Sequence, residues 1–251
     1  MALTDIIYTT RAKLTALYDA IREKAGVTGT MTIDQATEAV ESIQSGGDIL
    51  EKVVNRDGTG GLSNIELDLR SLSAIGTNAC YKGAAIVKVD IATGAAVYNN
   101  AFYECRSLAT VNGDDIVLGY IGGGAFGNCL PLNFKRITAT TIESGAFAEC
   151  RALRKIAIHA DAVNGNVFGI AGAASTSNPG IQKAWLSKDI ATIQTINYNF
   201  APFKNHSYIE IYTDATEAPS GWGQYFNYTA KDAQVTVHYG VSEEEFWALE
   251  D

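Results

Sequence analysis

The chain is poor in positive charge. Its 251 residues hold 19 Lys and Arg against 28 Asp and Glu, a formal net charge of −9, and the basic residues form no cluster. Nucleic-acid binding needs a concentrated positive face, so no nucleic-acid partner is expected. No apolar run approaches 18 residues, which argues against a membrane span. The opening residues, Met1-Ala2-Leu3-Thr4-Asp5, lack the basic and apolar regions of a secretory signal, so synthesis in a cytosol is expected. Four cysteines are present, with no C-x-x-C spacing, and neither a metal site nor a disulfide framework is expected. The three histidines, His159, His206 and His238, lie far apart. No serine-nucleophile motif and no paired-carboxylate pattern occurs. Gly122, Gly124 and Gly127 spell a dinucleotide-type glycine pattern, yet they align with Glu143 to Ala148, an ordinary loop of a repeat. Together these absences predict a chain without catalysis, cofactor or metal. Asn205-His206-Ser207 and Asn227-Tyr228-Thr229 match the glycosylation sequon, but a chain without a signal peptide would not meet that machinery.

Repetition is what the chain does have. Three stretches, starting at Ala101, Ala125 and Ala146, read A-F-x-x-C-x-x-L. Steps of this size mark a solenoid, in which no single coil can bury its apolar face alone. An aliphatic residue stands four positions before each alanine: Val97, Ile121 and Ile142. After the leucine comes an alternating run, clearest at Lys155-Ile156-Ala157-Ile158-His159, whose period of two predicts a half-buried strand. Ile156 and Ile158 should then be buried, with Lys155 and Ala157 on the other face. Within the motif, Phe147, Cys150 and Leu153 are three apart, which suits a single helical or 3₁₀ turn.

Weaker copies flank the clear ones. Upstream, Cys80 falls in the Phe column. Downstream, Val167 and Phe168 begin a copy that small residues interrupt from Gly169 to Gly180, and a last copy puts Phe203 in the Phe column and His206 in the Cys column. The count is about six coils, with an opening strand at Ile65 to Leu69 and a closing one at Val235 to Tyr239. Successive strands should pair in parallel in a right-handed solenoid. A column position points inward on every coil, so Cys105, Cys129 and Cys150 read as buried free thiols.

Both ends differ from the repeats. Residues 3 to 25 have helical periodicity, with Leu14, Leu17 and Ile21 on one face, and Gly26 ends them. A second helix opens at a Thr32–Gln35 capping box and carries Val40 and Ile43. This hairpin is too small to form its own core, so it is expected to dock on another copy or another protein. At the other end, Ser242 and Glu245 form a capping box ahead of Phe246 and Trp247, which predicts a short helix closing the last coil. Near it lie Trp222, Tyr225, Phe226 and Tyr228, just after Pro219-Ser220-Gly221. Such aromatics either stack on sugars or anchor a protein interface, or they plug the end of the solenoid.

The unit I-x-x-x-A-F-x-x-C-x-x-L, best seen from Ile142 to Leu153, resembles the BspA-like class of leucine-rich repeats, over residues 65 to 240. The segments Ala20 to Gly26, Met31 to Asp34 and Ala39 to Ile43 are similar to a helical module that opens many phage and prophage tail and baseplate proteins. The resemblance implies an α+β chain: a helical hairpin (1–45), a linker (46–64), a leucine-rich-repeat solenoid (65–240) and a C-terminal cap helix (241–251). It implies a non-enzymatic virion structural protein that binds a host-surface protein or glycan through the solenoid. The hairpin would hold it to other virion proteins in a homo-oligomer assembled in the bacterial cytoplasm. A bacterial surface adhesin is the other reading. Neither family has catalytic residues to carry over.

Overall fold

The computed structural model describes residues 64–169, 180–195, 201–204, 206, 209–228 and 235–250. The expected hairpin over 1–45, with Leu14, Leu17, Ile21, Val40 and Ile43, lies outside the described residues. So do the linker up to residue 63 and most of the 169–180 interruption.

Each pass of the chain lays down a strand, bends into a second short strand, and returns through a string of turns. The first pass gives β1 (Ile65–Leu69) and β2 (Ala74–Ile75), the second β3 (Ile86–Ile91) and β4 (Ala96–Val97). In the third pass the first strand is broken into β5 (Thr110–Val111) and β6 (Asp115–Val117), followed by β7 (Tyr120–Ile121). Two unbroken strands, β8 (Arg136–Ile142) and β9 (Lys155–Asn164), then cover both sides of the bend. The series continues with β10 (Lys183–Leu186), β11 (Thr192–Gln194), β12 (Glu210–Thr213) and β13 (Val237–Tyr239).

All these pairings are parallel and join successive passes, as the repeat predicts. The break in the third pass divides them into a sheet β1-β3-β5 and a ten-stranded sheet that holds the rest. Its cause is local. Asn112 and Gly113 have φ of 53° and 81°, left-handed values that these residue types tolerate best. The strand turns out of line there. The Asn112 side chain then takes over the lost ladder bonds, accepting from the Ile91 N–H at 2.7 Å and donating to the Ile91 C=O at 3.0 Å.

The A-F-x-x-C-x-x-L segment corrects one expectation. It is not a helical or 3₁₀ turn but a chain of β-turns. Bonds three residues apart recur, such as Ala101 N–H to Tyr98 C=O, Tyr103 to Asn100 and Cys105 to Phe102. The residue before the alanine and the third residue after it are left-handed in successive coils, at Asn100 and Glu104, Gly124 and Asn128, Gly145 and Glu149. A left-handed residue at the third position of a turn reverses the chain and stops helical winding. The three-residue spacing of Phe, Cys and Leu is real, but it comes from the turn period. The N–H groups left over bond to the next coil, for instance Phe102 to Ala125 and Phe126 to Ala146. The turn side, like the strand side, is thus laddered from coil to coil, through alternate N–H groups.

Inside, the Phe column stacks. Phe102, Phe126, Phe147, Phe168 and Phe203 follow one another with ring centroids 5.3 to 5.7 Å apart and nearly parallel planes. All five are buried. Each such side chain contributes about 1.5–3 kcal/mol of transfer free energy, and stacking adds about 0.5–1.5 kcal/mol per pair. Ile156 and Ile158 are buried in this core as predicted. Ala157 does point the other way, yet it too is buried, beneath α1 (Glu243–Ala248).

Helix α1 is the only helix among the described residues. Its predicted Ser242–Glu245 capping box is formed. Its place differs from expectation: it does not close the last coil. It lies on the outer face of the sheet, where Phe246 joins Ala157 of β9, Trp185 of β10 and Tyr212 of β12 in a second apolar cluster. The described part of the chain is therefore mostly parallel sheet, and α1 covers a face rather than an edge.

Candidate functional site

The distal aromatics divide into two pairs. Trp222 and Phe226 are 7 % and 6 % exposed and belong to the main core. Their rings meet edge to face at 5.0 Å, and the Trp222 indole N–H donates to the Ile190 carbonyl at 2.9 Å. Trp222 also bridges Ile193, and Ile193 pairs with Val163 and so with Ile142. Trp222 thus occupies the aliphatic column, and Phe226, four residues on, occupies the alanine column. That spacing of four is the one between Ile142 and Ala146, so the repeat could have been followed this far in the sequence. Tyr225 and Tyr228 are half-buried, with rings edge to face at 5.1 Å. Only this second pair of the four presents much surface. Next to it, an open groove runs between Thr192–Thr195 and Ser220–Gly223.

The Cys column does chemistry of a structural kind. Each thiol points at the carbonyl of the Phe-column residue in the preceding coil: Cys105 to Cys80 at 3.0 Å, Cys129 to Phe102 and Cys150 to Phe126 at 3.2 Å. All four cysteines are free and buried. Burial pushes the Cys105 thiol up to about 12, and the other three also rise, mainly through burial. A thiol held this way is neither a nucleophile nor a ready metal ligand.

His206 takes the same place in its coil and makes the same contact. Its Nε2 faces the carbonyl of Phe168, the Phe-column residue of the preceding coil, and its Nδ1 faces the Ile181 N–H at 2.8 Å. A carbonyl can only accept and an amide N–H can only donate, so the ring is the neutral tautomer with its proton on Nε2. Burial pushes its pKa down to about 4. The second nitrogen thus secures the chain where it returns at Gly180 and Ile181, just after the small-residue interruption.

The glycine pattern Gly122, Gly124, Gly127 is filled by neighbours rather than open to a phosphate. A Cβ at Gly122 would meet the Asn99 backbone N at 2.6 Å, and one at Gly127 would meet the Tyr103 ring at 2.9 Å. These glycines let adjacent coils approach.

A polar cluster ties α1 down. Glu243 accepts from Arg136 Nε at 2.7 Å and from the Trp247 indole at 2.9 Å, and it lies 3.0 Å from His159 Nε2. Burial works against the carboxylate, but bonds from Trp247, Arg136 and His159 outweigh it and hold Glu243 below the usual range. Lys155 reaches the Leu249 carbonyl at 2.6 Å, and the Trp185 indole donates to the Val241 carbonyl at 2.9 Å. Arg136, His159 and Lys155 all fasten the helix, and Arg136 also pairs with Asp115 at 3.3 Å. His238 lies 3.6 Å from Glu210 and stacks on Tyr212 at 4.5 Å. The three histidines stay apart. Among the described residues, no three His, Cys, Asp or Glu side chains gather to hold a metal ion, and no helix is long and apolar enough to cross a membrane.

The profile of the BspA type leucine rich repeat region matches residues 73–209 in six copies. No curated protein and no solved structure matches the chain.

Proposed function

The chain belongs to the BspA-type leucine-rich repeat family, and we propose that it is a non-enzymatic, adhesin-like recognition scaffold that binds a protein or glycan on a cell surface. The observation that carries this reading is the way its polar chemistry is used. Thiols, His206, Glu243 and the glycine pattern are all consumed by coil-to-coil or helix-to-sheet contacts. What is left is a rigid, broad surface with open grooves, which suits recognition better than catalysis.

The carrier of this scaffold is either a bacterial surface or a virion. The repeats fit both. The virion reading rests on the residues from Ala20 to Ile43, which resemble the opening module of phage tail and baseplate proteins. There the hairpin stripe Leu14, Leu17, Ile21, Val40 and Ile43 would dock on other virion proteins or on further copies of the chain. Two measurements test the proposal. Labelled full-length chain should be retained on intact cells, and immuno-electron microscopy should find it on cell surfaces or on particles. Absence of retention on any cell type overturns the recognition role. Particles with an unchanged outline when the protein is missing overturn the virion reading.

A further inference from the structure

The second strand of each coil carries a buried column, Ile75, Val97, Ile121, Ile142 and onward. The residues on either side of that column face outward. On one side, moving along the solenoid, they are Ala74, Ala96, Tyr120 and Thr141; on the other, Gly76, Tyr98, Gly122 and Glu143. This face is small-chained and nearly uncharged. Two tyrosines stand out from it, with ring centroids 5.7 Å apart and planes tilted by 46°. Tyr98 is 45 % exposed, more than the other exposed large apolar side chains among the described residues, Leu72, Leu130 and Tyr239.

Tyr98 has glycine on both sides in its own row, and the two glycines differ. Gly122 is demanded by packing, because a Cβ there would strike the Asn99 backbone. Gly76 is not. Its φ lies outside the left-handed region, and nothing stands within 4 Å of where its Cβ would be. Glycine loses more conformational freedom on folding than any other residue, so at Gly76 the fold itself gains nothing from it. The gap it leaves lies in Tyr98's row, toward the start of the solenoid, and the same two coils carry an open groove between Arg70–Ser73 and Ala92–Ala95. Ser73 and Thr93 supply hydroxyls to that groove. Arg70 supplies no free charge, since Asp68 pairs with it at 2.6 Å.

We propose that Tyr98, the gap at Gly76 and the groove on the same two coils together form a binding site for a neutral saccharide. An exposed aromatic ring with an unfilled space beside it takes the apolar face of a sugar. The Ser73 and Thr93 hydroxyls and the Tyr120 phenol take its hydroxyl groups. The lack of net charge selects a neutral glycan over an anionic one, which a chain of net charge −9 repels. This deepens the recognition role proposed above and rests on it.

The test uses full-length protein and an array of immobilised oligosaccharides: neutral gluco-, manno-, xylo- and N-acetylgluco-hexasaccharides beside uronic-acid and sulfated ones. Wild type should bind at least one neutral probe. Tyr98→Ala removes the platform and Gly76→Val fills the gap, and each should weaken that binding about tenfold, as expected for one lost stacking contact. Thermal midpoints should stay within about 2 °C of wild type, because neither side chain belongs to the core. A Tyr225→Ala, Tyr228→Ala double variant should bind as wild type does. Cell retention is measured in parallel. Retention without neutral-glycan binding, or binding that survives both substitutions, overturns this site and leaves the recognition role standing. Wild type that neither binds a neutral probe nor is retained on cells overturns both.

Discussion

Acid should destabilise this protein through one side chain, His206, in a pH range where its carboxylates are still charged. In the folded chain the ring is buried and neutral, with its pKa pushed down to about 4. In the unfolded chain it titrates near the ordinary value of about 6.5. Below pH 6.5 the unfolded chain therefore takes up a proton that the folded chain refuses, and stability falls until the pH reaches about 4. By pH 5.0 the loss is about 2 kcal/mol, or about 4–8 °C in thermal midpoint for a chain of this size. The charges nearest the ring, Glu149 and Arg151, act on it in opposite directions and are themselves paired at 2.6 Å. The comparison is with His206→Gln, which can donate and accept hydrogen bonds but does not titrate. The variant should be less stable than wild type at neutral pH, because glutamine cannot reproduce both ring contacts. The decisive quantity is the pH slope. Urea midpoints at pH 7.5 and 5.0 should show wild type losing about 2 kcal/mol more than the variant. His159, His238 and the carboxylates are common to both proteins and cancel. Equal losses would show that His206 accepts a proton in the folded state, and the reading of its two contacts would be wrong.

Three further outcomes are expected. Phe126→Ala empties a position stacked on both sides and should cost about 4–5 kcal/mol, measured by denaturant unfolding; a cost below about 2 kcal/mol would mean the ladder is not a unit. A thiol reagent should find the four cysteines unreactive in the native protein and all reactive after denaturation, whereas stoichiometric labelling of the folded chain would refute their burial. Helix α1 should detach in acid: Glu243 sits below its ordinary value, so its contribution holds above about pH 4.5 and is lost as the pH falls through the lowered value. Trp185 fluorescence should report exposure of the sheet face at that point, and Phe246→Ala should produce the same change at neutral pH.

The columns were legible because a solenoid writes its contacts into the sequence at a fixed step. Ile121 pairs with Ile142 and Phe126 stacks on Phe147, each meeting its own counterpart in the next coil, so one alignment predicts strand positions, inward residues and buried thiols together. Even His206 was readable as a Cys-column residue, although its second bond, to Ile181, was not. The same alignment, carried to the end, would have put Trp222 and Phe226 in the aliphatic and alanine columns. Their aromatic character concealed this, because column membership is decided by spacing and not by residue type.

Other features had no periodic trace. A three-residue apolar spacing is shared by helices and by serial β-turns, and only the left-handed dihedrals at Asn100, Glu104 and their counterparts separate the two. Ala157 sits at an outward position by alternation and is buried only because α1 folds back over the sheet. Where α1 lands depends on contacts with Arg136 and Lys155, about a hundred residues earlier in the chain. Likewise, Tyr98 and Tyr120 come together, and Gly76 falls in the row of Tyr98, only through the register of successive coils. The sequence determined what repeats, because repeated contacts are local in the alignment. The tertiary structure decided what happens once, because a contact made a single time leaves no second copy to compare.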